Sequence, residues 1–469
     1  MFKISDEDIV ARMRFDNPWW AEEQIPKTYR NYPKRDYFLP FERLASQKEP
    51  HRSVVLLGPR RTGKTVMLFQ FIGNQIEKDS NPSNLLYISL DTPIYAQQSL
   101  ENLLGLYMSH VFPNILEDIY IIFDEIQYLK RWEVQLKSLT DSYRELKFIV
   151  SGSAAAALKA KSDESGAGRF TEFTLPPLTF SEFLRMTKRE EKLIVGNRET
   201  REYETTNIKT LNEEFVRYIN FGGFPELALS SSTQADMARF IKDDILDKVL
   251  LRDLPSIYGI SDTTELYTLF TFLAFNTGNE VSLDALSKNS NISKNTLKKY
   301  IEFLEAAFLI RTVERIDKTA KNFKRSGTFK VYLANPSIRA ALFGPIQDDD
   351  EKFGHVAETA VFAQWMHSRK FKECIRFARW DTSEVDMVFL ETGEQSPLWA
   401  VEIKWSDRHM NDARLIAGLI ILGQRFSMRT MIATTRTISG ALPTSAGSIK
   451  LIPTSLYCYG VAKQLLEQK

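Results

Sequence analysis

The most constraining feature of the sequence is an apolar run that breaks into a short loop bounded by glycines. Val54–Leu57 are four consecutive apolar residues, typical of a strand buried on both faces, and Val66–Ile72 then supply the apolar positions of a helix. The loop between them consists of Gly58, Pro59, Arg60, Arg61, Thr62, Gly63, Lys64 and Thr65. A strand, a glycine loop ending in Lys-Thr and a helix, in this order, predict a P-loop.

The loop has the properties that phosphate binding requires. Gly58 and Gly63 allow backbone N–H groups to turn inward at a helix N-terminus, whose partial positive charge favours anions. We expect Lys64 to reach the β- and γ-phosphates of a nucleotide and Thr65 to ligate Mg²⁺. The alternative is an ordinary glycine loop. Because all fixed positions and both flanks are present, the whole loop is the predicted nucleotide-binding segment.

A second apolar strand ends in two carboxylates. Ile119–Phe123 is followed directly by Asp124 and Glu125. In open parallel sheets the ligand lies at the carboxyl ends of the strands, so both side chains are predicted near the nucleotide. We expect Asp124 to hold Mg²⁺ and Glu125 to be the general base for the attacking water. An acidic pair after a strand is also typical of a helix start, because acidic residues favour the first turn.

Two further segments contain candidates for contact with the γ-phosphate. A strand at Lys147–Val150 is followed by Ser151 and Ser153. Either serine is predicted to sense the γ-phosphate, and the competing interpretation is a cap for a helix over Ala154–Leu158. Arg169, in a polar loop, is predicted to be an arginine finger in its own chain or in a neighbour, or else an ordinary solvated arginine.

Length and charge limit the remaining possibilities. A chain of 469 residues is expected to form two or three domains, and a formal net charge of +1 predicts no global attraction to nucleic acids or membranes. The two cysteines, Cys374 and Cys458, provide neither a disulfide framework nor zinc-binding spacing. We find no signal-peptide pattern and no apolar run as long as a membrane span, so a cytoplasmic location is expected. Whether the chain forms a homo-oligomer stays open.

The segment at 261–345 has the pattern of a winged helix. A first helix over Leu266–Leu273 and a second beginning near Ser282 precede a predicted recognition helix, Ser293–Leu304, and two strands. A basic wing at 318–327 joins the recognition-helix lysines in one local cationic cluster; these lysines are Lys294, Lys298 and Lys299. Such a cluster is expected to contact the phosphate backbone of DNA, unless the module serves protein docking, as many winged helices do.

The last part of the chain brings acidic residues onto neighbouring elements. Glu358 lies in an apolar helix, Glu384 and Asp386 share one face of a strand, and Glu402 and Lys404 share a face of the next. If these faces coincide, Asp386 and Glu402 would hold Mg²⁺ and Lys404 would orient water or stabilise phosphate charge, as a metal-dependent phosphodiesterase requires. An ordinary strand edge and a nuclease-shaped domain without turnover are the alternatives.

Taken in order, these motifs resemble a known family. They are the loop at 58–65, Asp124–Gln127, Ser151–Ser153, Gly168-Arg169, Leu175–Phe183, Gly222–Glu226, Leu251–Asp253 and the carboxylates at 384–404. The order resembles bacterial and archaeal AAA-like ATPases whose C-terminal domain of unknown function has a nuclease-like core. The resemblance implies a Walker B strand that is not adjacent to the P-loop strand. The C-terminal residues resemble the PD-(D/E)xK pattern, in which Glu358 matches an extra helix glutamate, although no proline precedes Asp386.

We therefore predict an α/β fold in which a P-loop NTPase sheet with helices on both faces precedes a winged-helix segment and an α/β nuclease-like domain. Five segments are expected, namely a lead-in at 1–50, a P-loop ATPase core at 51–184, a helical segment at 185–260, the winged helix at 261–345 and the nuclease-like domain at 346–469. The predicted function is ATP hydrolysis with Mg²⁺ that controls binding or cleavage of DNA. The alternative is a nucleotide-switched regulator or defence sensor that binds protein through an inactive nuclease-like scaffold. The aromatic lead-in, including Trp19, Trp20 and Tyr29, either stacks on adenine or packs onto the sheet.

Overall fold

The structure is a computed structural model that describes residues 5–111, 119–153, 168–197, 202–317, 319–320, 327–366, 368, 373–381, 383–391 and 396–467. The chain divides into two compact units, Met1–Leu175 and Pro176–Lys469. The predicted helix at Ala154–Leu158 and most of the predicted basic wing lie outside the described residues. Each unit is built around a sheet of its own, and the two are described separately below.

The first unit contains a parallel five-stranded sheet. Its strands are β1 (Ser53–Leu57), β2 (Leu85–Ser89), β3 (Ile119–Asp124), β4 (Leu146–Gly152) and β5 (Phe170–Thr174), in the order β2-β3-β4-β1-β5. β1 and β3 are buried along their whole length, as continuous apolar runs require when both faces of a sheet are covered. β4 lies between β3 and β1, which confirms that the Walker B strand is not adjacent to the P-loop strand.

Helices and the N-terminal segment cover this sheet. The helices are Asp6–Asp16, Trp19–Glu22, Lys27–Asn31, Phe38–Ser46, Lys64–Ile76, Leu100–His110 and Trp132–Ser142. The indole N–H groups of Trp19 and Trp20 both donate to the carbonyl of Leu85 on the edge strand β2, at 2.9 and 3.0 Å. The ring of Tyr29 stacks on Phe69 with centroids 4.0 Å apart. These three rings therefore pack the lead-in onto the unit, as one of the two predictions for them proposed.

The second unit contains a mixed nine-stranded sheet. Its strands are β8 (Glu280–Ser282), β9 (Ile310–Ile316), β10 (Thr328–Leu333), β11 (Ile375–Trp380), β12 (Ser383–Leu390), β13 (Pro397–Glu402), β14 (Thr430–Thr435), β15 (Gly440–Thr444) and β16 (Gly447–Pro453), after a separate hairpin of β6 (Ile194–Asn197) and β7 (Glu202–Thr205). The sheet order is β15-β16-β14-β13-β12-β11-β9-β10-β8. β11 pairs in parallel with β9, so strands from both sides of the predicted boundary at residue 345 lie in one sheet. The five-segment division remains a prediction.

Helices cover both faces of the second sheet. They are Phe180–Met186, Glu190–Leu193, Ile208–Phe221, Pro225–Leu229, Ser231–Ala235, Leu254–Tyr258, Thr263–Phe275, Leu283–Ser290, Lys294–Ala306, Ser337–Phe343, Phe353–Trp365, Ala417–Phe426 and Thr454–Glu467, with π-helical turns over Arg239–Asp247 and Val249–Asp253. One core contains Met387 of β12 and the helices Phe353–Trp365 and Thr454–Glu467, whereas a second contains Val388 and Ala417–Phe426. Adjacent residues of β12 thus face opposite layers. Among the described residues, no helix combines the length and the apolar character needed to cross a membrane.

Candidate functional site

The P-loop is held in shape by its two glycines. A Cβ atom at Gly58 would lie 2.2 Å from the carbonyl oxygen of Leu175, so the close approach of the two backbones excludes a side chain there. Gly63 has a φ of 93°, in the region that favours glycine, and the helix begins at the next residue, Lys64. The loop therefore leads directly into a helix N-terminus, where a phosphate group is stabilised.

Lys64 lies against the carbonyl oxygens of its own loop. Its Nζ donates to the oxygen of Gly58 at 3.1 Å and to that of Pro59 at 2.8 Å, and its side chain is buried. Burial lowers the pKa of Lys64, while the charges of Glu125 and Asp124 act in the opposite direction. Both predicted carboxylates are thus close enough to act on the charge of this amine.

Asp124 is the centre of a hydrogen-bond network at the carboxyl ends of the strands. Its Oδ2 accepts from Thr65 Oγ1 at 2.7 Å and from the hydroxyl of Tyr87 at 2.9 Å. Its Oδ1 accepts from Ser151 Oγ and from the backbone N–H of Glu125. The hydroxyl of Thr65 and the carboxylate of Asp124 are adjacent hard oxygen donors, which fits the ligand preference of Mg²⁺.

Tyr87 was not predicted as part of this site. Its side chain is buried, and its pKa is raised by that burial and by the negative charge of Asp124. In the sequence Tyr87 lies inside an apolar strand and is indistinguishable from a core residue. Only the parallel pairing of β2 with β3, which places Ser89 beside Asp124, brings the ring within reach. The sequence of β2 alone therefore carries no signal for this contact.

Glu125 lies directly beside this network. Its backbone has a φ of 55°, an uncommon conformation for a residue other than glycine. Gln127 Nε2 donates to the Glu125 carboxylate, and Gln127 Oε1 accepts from the backbone N–H of Ser153 at 3.2 Å. Burial raises the pKa of Glu125, with Lys64 acting against that rise. The carboxylate is therefore oriented and made more basic than an exposed glutamate.

The two candidate sensor serines have different surroundings. Ser151 Oγ donates to Asp124, so this hydroxyl already has a partner in the site. Ser153 Oγ is buried and has no hydrogen-bond partner within the described part of the chain. A buried hydroxyl is normally hydrogen-bonded, so Ser153 is the serine with capacity left for a phosphate oxygen.

The three predicted arginines, Arg60, Arg61 and Arg169, do not lie together at the P-loop. Arg60 and Arg61 lie in the loop itself, where Arg61 has a φ of 60°. Arg169 pairs with Asp141 at 2.8 Å, and its carbonyl accepts from Ser53 N–H at the beginning of β1. The P-loop follows the carboxyl end of β1. Arg169 therefore lies at the opposite, amino-terminal end of the parallel strands. The structure thus does not bring Arg169 to the nucleotide site of its own chain.

The predicted C-terminal carboxylates do come together. β12 and β13 are antiparallel, and Met387 pairs with Val401. Asp386 and Glu402, one residue further along each strand, are therefore opposite each other. Lys404 Nζ lies 2.6 Å from Glu402 Oε1. Burial together with the charge of Asp386 raises the pKa of Glu358 to about 7 and that of Glu402 to about 8. The alternation of side chains predicted convergence only if the two strand faces coincide, and the pairing of β12 with β13 places Asp386 opposite Glu402.

The centre of this cluster contains a lysine that the sequence analysis did not assign to it. Lys330 of β10 is buried, and its Nζ lies 2.8 Å from Glu358, 2.5 Å from Glu384 and 3.1 Å from Asp386. In the part of the chain that the structure describes, no three His, Cys, Asp or Glu side chains are arranged to hold a metal ion. An ammonium group therefore lies between two of the carboxylates predicted to hold a metal ion, Glu358 and Asp386, and the metal site of Glu358, Asp386 and Glu402 stays a prediction.

The predicted recognition helix is present, and Ser293 is its N-cap. Ser293 Oγ accepts from Thr296 N–H, and the helix runs over Lys294–Ala306. Lys294 pairs with Asp284, whereas Lys298 and Lys299 are exposed. All three predicted lysines are thus on the surface of the helix, and Lys294 has an acidic partner there.

Two family models match parts of the chain. Residues 50–184 match the model of an AAA domain, AAA_14, and residues 212–349 match that of a domain of unknown function, DUF8612. An uncharacterized protein of Haemophilus influenzae is 24% identical over 349 residues, which are 72% of this chain and 80% of that protein. An uncharacterized protein of Methanocaldococcus jannaschii is 26% identical over 384 residues, or 78% and 80% of the two chains.

A solved structure with similarity to the chain is the Aeropyrum pernix ORC1 protein in complex with DNA. It has 13% sequence identity and a TM-score of 0.31, and the alignment covers 66% of this chain and 92% of the other. A likeness this low does not bear on function. Neither family match includes the carboxylates at 358–404, so the nuclease-like assignment of that region stays a prediction. The match to the AAA model covers the P-loop, Asp124 at the end of β3 and the following Glu125, and residues 50–184 also contain the parallel five-stranded sheet.

Proposed function

We propose that the first unit binds and hydrolyses ATP at the P-loop. The observation that carries this proposal is the Asp124 carboxylate, which accepts from Thr65 of the loop at 2.7 Å and from Ser151 of β4. Three separate segments therefore meet at one carboxylate at the end of the parallel sheet. A magnesium-dependent nucleotide site needs this combination of a phosphate loop, a hydroxyl ligand and an acidic ligand.

Each residue of the P-loop site has a separate role in the proposed hydrolysis. Backbone N–H groups of the loop at 58–65 and the helix N-terminus bind phosphate oxygens, and Lys64 turns from its loop carbonyls to the β- and γ-phosphates. Thr65 and Asp124 would hold Mg²⁺, which neutralises phosphate charge when bound. Glu125, with its raised pKa, orients water and accepts its proton. Ser153 offers a buried hydroxyl to the γ-phosphate.

Replacing Asp124 with asparagine tests this assignment. We expect ATP turnover to fall by about 100-fold or more, because the amide is a weaker ligand for Mg²⁺ than the carboxylate. Nucleotide affinity measured without Mg²⁺ should change little. Phosphate release and fluorescent-nucleotide binding, each with ATP and GTP, are the measurements.

Asp91→Asn is the matched control for this variant. Asp91 lies just after β2, at the same edge of the sheet, but it is exposed and accepts from Ser89 Oγ. Its replacement should leave turnover unchanged. Equal turnover in wild type and Asp124→Asn would remove the basis of the proposal.

For the second unit we propose binding of DNA rather than its cleavage. The exposed Lys298 and Lys299 on the helix Lys294–Ala306 support contact with a phosphate backbone. The ammonium of Lys330 among the acidic residues argues against a cleavage site. Control of DNA binding by nucleotide is part of the proposal, and a protein partner in place of DNA is the alternative.

A double substitution, Lys298→Ala with Lys299→Ala, should weaken binding to duplex DNA. Each lost phosphate contact lowers the slope of log Kd against log salt by about one, so the slope should fall by about two. Fluorescence anisotropy over a KCl series, with ATP, ADP or no nucleotide, measures both the slope and the nucleotide dependence.

The control for DNA binding replaces two exposed lysines elsewhere in the second unit. Lys209→Ala with Lys450→Ala makes the same change in net charge at distant surface positions. It should leave the slope nearly unchanged. If wild type binds no DNA in any nucleotide state, the protein-binding alternative is preferred.

A further inference from the structure

The ammonium group of Lys330 is in contact with three carboxylates. Its Nζ lies within 3.1 Å of oxygens from Glu358, Glu384 and Asp386, and only 3% of the residue is exposed. An ammonium group has three N–H donors and no acceptor, so three carboxylates use all of them. The acidic residues come from the helix Phe353–Trp365 and from β12, whereas the lysine comes from β10.

Some oxygens of these carboxylates have further partners, whereas Glu358 Oε2 lies 4.0 Å from His355 Nδ1 and Glu384 Oε2 lies 3.9 Å from Arg379 Nη1. Asp386 Oδ2 accepts from the backbone N–H of Ile403 at 2.9 Å, and Glu358 Oε1 accepts from the hydroxyl of Tyr332 at 2.5 Å as well as from Lys330. Glu402 Oε1 is paired with Lys404. Among the carboxylates in this part of the described chain, Glu402 Oε2 is a buried oxygen without a partner.

A divalent cation does not fit this arrangement. Mg²⁺ requires oxygen ligands at about 2.0–2.1 Å in near-octahedral geometry. Here the oxygens of Glu358 and Asp386 point at a nitrogen that already carries one positive charge, and Glu402 Oε2 alone is no metal site. A second cation at the same place would be repelled by the positive charge of Lys330.

We propose that Lys330 is the resident cation of this site and takes the place that a divalent metal ion would need. The acidic cluster is then a permanent internal ion-pair network that joins β10 to β12 and to the helix Phe353–Trp365. Removing the ammonium group while keeping the carboxylates converts the cluster into a divalent-cation site. This inference deepens the proposal that the second unit binds rather than cleaves, and it does not depend on ATP hydrolysis.

Metal titration of the full chain without nucleotide tests the proposal. Tb³⁺, whose emission is sensitised by nearby tyrosine, is the probe, and Tyr332 at Glu358 is the expected sensitiser. Wild type should show no saturable emission that depends on Asp386. Lys330→Ala should gain one site, with an affinity at least about tenfold higher than any binding to wild type, because several buried acidic groups lose their counter-ion. Mn²⁺ should compete for that site.

Two further variants assign the signal. Lys330→Ala combined with Asp386→Asn should lose the gained site, which places it in this cluster rather than at the P-loop. Lys404→Ala is the matched control, because it also removes one lysine next to these carboxylates but leaves Lys330 in place. It should gain no site.

Two results would overturn the proposal. One is saturable Mn²⁺ or Tb³⁺ binding by wild type that disappears in Asp386→Asn. The other is a folded Lys330→Ala protein that binds no more Tb³⁺ than wild type does. The wild-type titration requires no substitution at Lys330, so it decides the question even if Lys330→Ala fails to fold. Neither result involves DNA, so the outcome is independent of whether the second unit binds DNA.

Discussion

Replacing Lys64 with alanine is expected to abolish ATP hydrolysis, with turnover reduced by about 1000-fold. In the proposed site the ammonium group would reach the β- and γ-phosphates, and charge in a buried site is stabilised far more strongly than in water. Lys64 is held ready by Gly58 O and Pro59 O, so the alanine variant also leaves these two carbonyl oxygens without their donor. Both nucleotide affinity and turnover should fall, as measured by fluorescent-nucleotide binding and phosphate release.

Lys78→Ala is the control for a general effect of removing a lysine near this helix. Lys78 follows the same helix and pairs with Glu42 at 2.7 Å, but its side chain is largely exposed. Surface ion pairs contribute little to stability, so turnover and thermal unfolding should both remain close to wild type. A Lys64→Ala protein that melts like wild type yet hydrolyses ATP normally would show that the loop is not the catalytic phosphate site.

The first site was predictable because its parts are short in sequence and each has its own signature. The loop at 58–65 needs only neighbouring residues, and Asp124 and Glu125 are recognisable because they end a buried strand. For Arg169 the sequence analysis left three alternatives open, a finger in its own chain, a finger in a neighbour and a solvated arginine, since a loop arginine has no signature of its own. Arg169 directly precedes β5. Because β5 pairs in parallel with β1, Arg169 lies at the amino-terminal ends of these strands, away from the P-loop.

The second site was only half predictable, because its central residue comes from a distant part of the chain. The alternation of side chains on β12 and β13 is a local pattern that groups Glu384 with Asp386 and Glu402 with Lys404, but whether the two faces coincide depends on the strand pairing. Lys330 lies on a strand that was predicted as part of a winged helix. It arrives beside these residues because β9, its neighbour in the sheet, pairs in parallel with β11. A lysine on the same strand face as Tyr332, inside an apolar strand, was the available signal.

Replacing Glu125 with glutamine is expected to stop hydrolysis while sparing nucleotide binding. Glutamine has nearly the same size, so the backbone at a φ of 55° and its N–H, which donates to Asp124 Oδ1 and Ser151 Oγ, are retained. Only the ability to accept a proton from water is lost, and general-base catalysis contributes about 10²- to 10⁴-fold. Single-turnover phosphate release should fall by that factor, and the affinity for ATP should stay within about twofold of wild type.

The choice of control decides whether this loss belongs to the base or to the network around it. Glu172→Gln makes the same chemical change at an exposed position of β5 and should leave turnover unchanged. Gln127→Ala removes the amide that donates to Glu125 but leaves the carboxylate, so it should give a partial loss. If Glu125→Gln hydrolyses ATP at the wild-type rate, Glu125 is not the base, and the raised pKa of its carboxyl group reflects only burial and the charge of Asp124.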